Sequence, residues 1–119
     1  QKKYEEAYMY FKKAEKINET NVDLILSISQ LLFEQNKKEE SLIYLQKTEK
    51  LKDLTDDNYL RIGYIYENLS KKQLAAKYYE NFVTKARFEN SQTDKNLIDE
   101  INRKVFVLRN RESVKIEID

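Results

Sequence analysis

The sequence predicts an all-α fold, a row of helical hairpins amounting to about six helices, and three observations carry that prediction. Apolar residues recur at spacings of three and four along most of the chain, the period of a helix with one face in a core. Proline is absent and glycine occurs once, at Gly63, so only short polar breaks interrupt the helices. The apolar pattern also returns in register after 34 residues, which marks stacked units of one kind.

The stretch around Gly63 organises the rest. From Asn58 it reads NYLRIGYIYENLSKKQLAAKYYENFVTKARF. Tyr59, Ile62, Gly63 and Tyr66 form one stripe; Ala75, Tyr78, Tyr79, Phe82, Val83 and Ala86 form the next. Asn68 to Lys71 is the break between them. Glycine inside a helix costs roughly 1 kcal/mol against alanine, so Gly63 needs a packing reason. The expected reason is a neighbouring helix pressed on its backbone, with Tyr79 or Ala75 filling the space.

Before this hairpin, Lys2 to Asn18 places Tyr4, Ala7, Tyr8, Phe11, Ala14 and Ile17 on one stripe. Glu5, Glu6, Lys12, Lys13, Glu15 and Lys16 fall on or near its wet side. Thr20 and Asn21 supply a stop and a new N-cap. Val22 to Gln35 is apolar nearly all round, with Ile25, Ile28 and Leu32 as one stripe and Leu26 and Phe33 on a third side. Asn36 to Lys38 turns the chain into a helix over Glu39 to Leu51, which faces Leu42, Leu45, Thr48 and Leu51 inward. Asp53 to Asp56 caps the hairpin that follows.

After Phe88, residues 89–93 read as a polar linker with Thr93 as a cap. Asp94 to Asn110 forms a sixth helix on Leu97, Ile98, Ile101, Val105 and Leu108. The last seven residues alternate apolar and polar in steps of two, which is strand spacing. A chain of 119 residues buries one modest core, so the prediction is one helical domain over 1–112 with an extended tail at 113–119. The chain opens at Gln1 inside a helical pattern and is expected to be a piece of a longer protein.

Composition excludes several functions. Histidine and cysteine are both absent, which removes thiol chemistry, disulfides, the common zinc ligand sets and the usual general base. Lys plus Arg is 22 against 21 acids, a net charge of +1, so no whole-molecule field draws in nucleic acid. No apolar run approaches the roughly 18 residues of a membrane span. The carboxylate pairs Asp56–Asp57 and Asp99–Glu100 read as charged surface or first-turn acids, not as a catalytic dyad. With one glycine there is no phosphate-cradling loop. Neither catalysis, a metal nor a cofactor is expected. The tyrosines fall on core stripes, and Arg103, Lys104, Arg109 and Arg111 read as a solvated face.

Laying Ala7, Phe11 and Ala14 over Ser41, Leu45 and Thr48, and again over Ala75, Tyr79 and Phe82, gives the step of 34 residues. The same step carries Ile25, Ile28, Ser29 and Leu32 onto Tyr59, Ile62, Gly63 and Tyr66. This resembles the tetratricopeptide repeat, over about Tyr4 to Arg87. The match lies in a large residue, an aliphatic–small pair and an aromatic on the first helix, then small, aromatic and small on the second. The unit-end proline is replaced by Glu19, Asp53 and Arg87, and the last helix stands out of register as a capping helix.

The resemblance implies a right-handed solenoid of antiparallel helices whose first helices line a concave groove for a protein or peptide ligand. On that basis Leu26, Ser27, Gln30 and Phe33 on one unit, and Leu60, Arg61, Tyr64 and Glu67 on the next, are the candidate peptide-binding residues. The other reading is that Leu26 and Phe33 pack on the preceding helix and that Arg61 pairs with Asp57. A groove with Arg61 as its cation departs from the lysine–asparagine–arginine clamp that some such domains use on a peptide carboxylate, and a mixed apolar and polar ligand fits better. The alternative function is a scaffold or spacer that self-associates through Tyr4, Tyr8 and Phe11 of the first helix, extended to Met9 and Tyr10. The compartment is unspecified.

Overall fold

The structure, a computed structural model, describes residues 2–17, 21–89 and 93–118, with side chains over 3–17, 21–89 and 93–110. Among the described residues six α-helices run in order: α1 (Lys2–Ile17), α2 (Val22–Glu34), α3 (Lys38–Gln46), α4 (Asp56–Asn68), α5 (Lys72–Phe88) and α6 (Lys95–Ile118). A 3-10 turn at Lys47–Lys50 follows α3. Among the described residues there is no strand, so the fold is all-α. Thr20 and residues 90–92, parts of the expected cap and linker, lie outside the described residues.

The chain divides into two compact units, Gln1–Asp53 and Leu54–Asp119, where one domain was expected. In the first, α2 packs on both α1 and α3; in the second, α5 packs on both α4 and α6. Each unit therefore buries its own stripe. Ile28, Leu32 and Tyr44 form a core in the first unit, with Tyr8 and Phe11 of α1 packed against it. In the second unit Tyr78 stacks on Tyr66 at 5.5 Å between ring centroids and lies 6.2 Å from Tyr59.

The helix ends repeat with the same step as the core. Asn21 caps α2 by accepting from the Leu24 amide, and Thr55 caps α4 in a reciprocal box with Asn58. Past α2, the Asn36 amide donates to Phe33 and the Lys37 amide to Leu32; past α4, Ser70 donates to Glu67 and Lys71 to Tyr66. Both are Schellman turns, which need a left-handed residue at their hinge. Asn36 has φ of 64° and Ser70 a φ of 62°.

Two expectations are corrected. Helix α3 ends at Gln46 and tightens into the 3-10 turn, where the buried Thr48 hydroxyl donates to the Leu45 carbonyl at 2.7 Å. A side-chain bond of that kind competes with the regular helical ladder. Residues 113–118 continue α6 and are not extended. A lone strand would leave its backbone groups without a ladder, whereas each further helical residue satisfies them internally.

Candidate partner-binding site

The α4–α5 hairpin is closed at Gly63. A Cβ built there would sit 2.6 Å from both Cδ1 and Cε1 of Tyr79, so only glycine lets the ring lie on the α4 backbone. That position bears out the packing reason read from the sequence. The same ring carries the hydroxyl outward to Glu67, donating to Oε1 at 2.7 Å. Burial, joined by the hydrogen bond to Glu67 and its charge, holds the Tyr79 hydroxyl well above the ordinary tyrosine pKa. Tyr64 meets Tyr79 edge to face at 5.6 Å.

Helix α6 completes this group. Its Ile98, Ile101, Val105 and Leu108 are buried, which turns Lys104 toward α4. The Lys104 ammonium pairs with Glu67 at 3.1 Å and lies 5.2 Å from the Tyr64 ring and 5.6 Å from the Tyr79 ring. Further along, Arg109 pairs with Glu80 and donates to Gln73 at 3.1 Å. The sequence reading left Lys104 and Arg109 on a solvated face. Their partners lie tens of residues away, and no local spacing announces them.

Beside this cluster opens a cleft of about 500 Å³, lined by Glu67, Ser70, Lys72, Glu100, Arg103, Lys104, Val107 and Leu108. Glu67 and Glu100 face Lys72, Arg103 and Lys104, over an apolar wall of Val107 and Leu108. Among the described residues no acid pairs with Lys72 or Arg103. The cleft can therefore accept an apolar side chain and an anion together.

The residues expected to bind a ligand divide into two groups. Leu26 is wholly buried, at 0% exposure, and Leu60 is buried as well. Neither presents a surface to a partner, which corrects the expectation that they line a groove. Each sits on a second apolar flank of a helix with core on more than one side. Ser27, Gln30, Phe33, Arg61 and Glu67 are half-buried, while Tyr64 is 39% exposed. Gln30 donates to Glu34 at 3.2 Å. Tyr64 and Glu67 meet in the α6 cluster, and Glu67 alone of the eight lines the cleft.

The first unit holds a different cluster. Glu15, placed on or near the wet side of α1 by the sequence, is buried. It accepts from Lys12 at 3.1 Å, from Lys47 at 3.3 Å and from the Tyr44 hydroxyl at 3.2 Å. Lys12 also donates to Tyr44, and the Lys47 ammonium rides 4.1 Å from that ring. Burial pushes the Glu15 carboxyl up, but the hydrogen bonds and charges of Lys12 and Lys47 win and hold it below the ordinary range. The missed signal was spacing. Glu15 stands four residues after Phe11 and seven after Tyr8, on the same face.

Asp56 is structural, accepting from the Asp57 amide at 2.8 Å and from the Thr93 hydroxyl at 2.9 Å. No group of three or more metal-ligating side chains occurs among the described residues. No helix there is long and apolar enough to cross a membrane.

A comparison with curated proteins finds no match. Residues 56–84, which take in α4 and most of α5, match the family model described as tetratricopeptide repeat. A repeat of this kind suggests a protein–protein interaction or scaffold role. The match, on the hairpin closed at Gly63, supports a tetratricopeptide repeat domain.

Proposed function

We propose that the chain is a protein-interaction module with no reaction of its own, which holds a peptide or partner helix against the cleft beside α6. The carrying observation is the cleft itself, where Arg103 and Lys72 stand next to the exposed Val107. Such a surface favours a segment with an apolar side chain next to an acidic one. Tyr64 adds a flat apolar edge. Arg61 of α4 retains enough surface to fix a ligand's polarity by hydrogen bonding, while Ser27, Gln30 and Phe33 of α2 give the first unit a partly exposed face of its own. Leu26 and Leu60 act in this reading by holding their helices in place. Tetratricopeptide repeats are generally non-catalytic, which supports the absence of a reaction.

Peptide display on the immobilised chain tests this, with counter-selection on an Arg103→Glu/Val107→Asp variant. Both positions are exposed, so the variant is expected to keep its helicity by circular dichroism. Peptides that bind the wild type and lose about tenfold or more on the variant, carrying an apolar–acidic pair, support the proposal. Peptides that bind both equally overturn it.

A further inference from the structure

The cleft beside α6 holds one polar group with no role so far, the side chain of Ser70. Ser70 is the hinge between α4 and α5, and it lines the cleft together with Lys72 and Arg103. Its backbone is committed. The Ser70 amide donates to the Glu67 carbonyl at 2.9 Å, and the Lys71 amide donates to the Tyr66 carbonyl at 2.9 Å. Its side chain is free: the residue is exposed, and among the described residues no partner engages the hydroxyl. A donor carried on a fixed turn in the wall of a cavity is preorganised for a ligand.

Serine is also an unfavoured residue for this backbone. Among the described residues three besides glycine are left-handed: Asn36 at φ 64°, Asp53 at 61° and Ser70 at 62°. Asparagine and aspartate tolerate that region best after glycine, and serine has no such advantage. The 34-residue step puts Asn36 and Ser70 at the same point of their hairpins, so the frame itself does not ask for serine. The surroundings differ. Asn36 shares a recess with Glu5, Glu34 and Lys37, where acids outnumber the cation, whereas Ser70 stands with Lys72 and Arg103. A costly conformation kept beside a binding surface points to a use for the residue that bears it.

The charges of the cleft define what the hydroxyl meets. Lys72, Arg103 and Lys104 stand against Glu67 and Glu100, which leaves one positive charge in excess. Lys104 is taken up by Glu67 at 3.1 Å, so Lys72 and Arg103 are the cations left for a ligand. One negative charge is balanced there; a phosphate near two charges is not. We infer that Ser70 is the specificity-determining residue of the cleft, its hydroxyl donating to a single carboxylate side chain of a partner peptide that Lys72 and Arg103 attract. The assignment rests on the reading of the cleft as a peptide site, and adds to it the class of the anion and the donor that selects it. The two cations draw in any anion, while the fixed hydroxyl sets where its oxygen must lie.

The test is a double-mutant cycle read by fluorescence anisotropy on the whole chain. The probe is the tightest display-selected peptide with an apolar–acidic pair, together with its forms in which the acid is replaced by the amide or by phosphoserine. Ser70→Gly keeps the left-handed turn and removes the hydroxyl, and circular dichroism checks its helicity. It should weaken the acid peptide about tenfold and the amide form about threefold or less. Asn36→Gly should leave both unchanged, and the phosphoserine form should bind no tighter than the acid. The inference is overturned by undiminished binding of the acid peptide to Ser70→Gly, or by equal loss with acid and amide, which makes Ser70 a purely structural hinge. A phosphoserine form about tenfold tighter overturns it as well. Failure of the peptide reading looks different: the wild type gives no saturable binding, or Arg103→Glu/Val107→Asp leaves binding intact, and both ideas fall. Binding that Arg103→Glu/Val107→Asp abolishes and Ser70→Gly spares overturns this inference alone.

Discussion

In the α2–α3 hairpin the helices meet at two serines; in α4–α5 they meet at a glycine beneath a tyrosine ring. Ser29 donates to the Ser41 carbonyl at 2.9 Å, Ser41 donates to the Ser29 carbonyl at 2.7 Å, and the two hydroxyls are 3.0 Å apart. Those residues are the 34-residue equivalents of Gly63 and Ala75. One hairpin fills the approach with short polar side chains that bond across the gap. The other removes a side chain altogether and lets Tyr79 in. The frame of caps, turns and stripes is common, so the difference shows that a small residue is required there and that its polarity is free, provided the hydroxyl finds partners.

The largest test of that contrast is Gly63→Ala. Alanine gains about 1 kcal/mol of helix propensity, yet its Cβ meets a buried ring, and forcing such a core open costs about 1–3 kcal/mol. Urea unfolding should show a net loss, mostly from the second unit. Ser29→Ala keeps the volume and drops one buried hydrogen bond, for a loss of about 1 kcal/mol in the first unit. A gain in stability for Gly63→Ala would break the comparison.

The charged clusters sharpen it. Glu15→Gln weakens charge-assisted bonds to two part-exposed lysines and should cost about 1 kcal/mol, read as faster amide exchange in α1 and α3. Because the folded carboxyl titrates below the unfolded one, its contribution is present above the ordinary glutamate pKa of about 4.3 and is lost as pH falls through the folded value. Acid should therefore loosen the first unit, and Glu15→Gln should flatten that dependence. Lys104→Ala removes an ion pair and two ring contacts from the second unit, for about 1 kcal/mol, with faster exchange in α6.

The smallest effect concerns the Schellman hinges. Ser70→Gly relieves a left-handed serine and should raise the second unit's stability by about 0.5–1 kcal/mol. Asn36→Gly should change little, since asparagine tolerates that region. Equal gains at both sites would contradict the distinction.

Much of this was legible in the residues. The caps within Thr20–Asn21 and Asp53–Asp56, the breaks, a close approach at Gly63 by Tyr79 or Ala75 and the 34-residue frame all follow from local spacing and one glycine; the structure singles out Asn21, Thr55 and Tyr79. The candidate site was less legible. Leu26 and Leu60 fit a ligand face by position, but helices apolar on several sides bury more than one stripe, and pattern alone cannot say which flank stays wet. Lys104 meets Glu67 only because α6 returns to that end of α4. The tail misled because strand spacing carries no information about a partner strand.

Amide chemical-shift mapping of a display-selected peptide is the most direct test of the proposed binding site. Shifts that saturate and cluster on residues 64–72 and 100–108 are the predicted result. Saturating shifts confined to α1, or none near Lys104 and Val107, would contradict it.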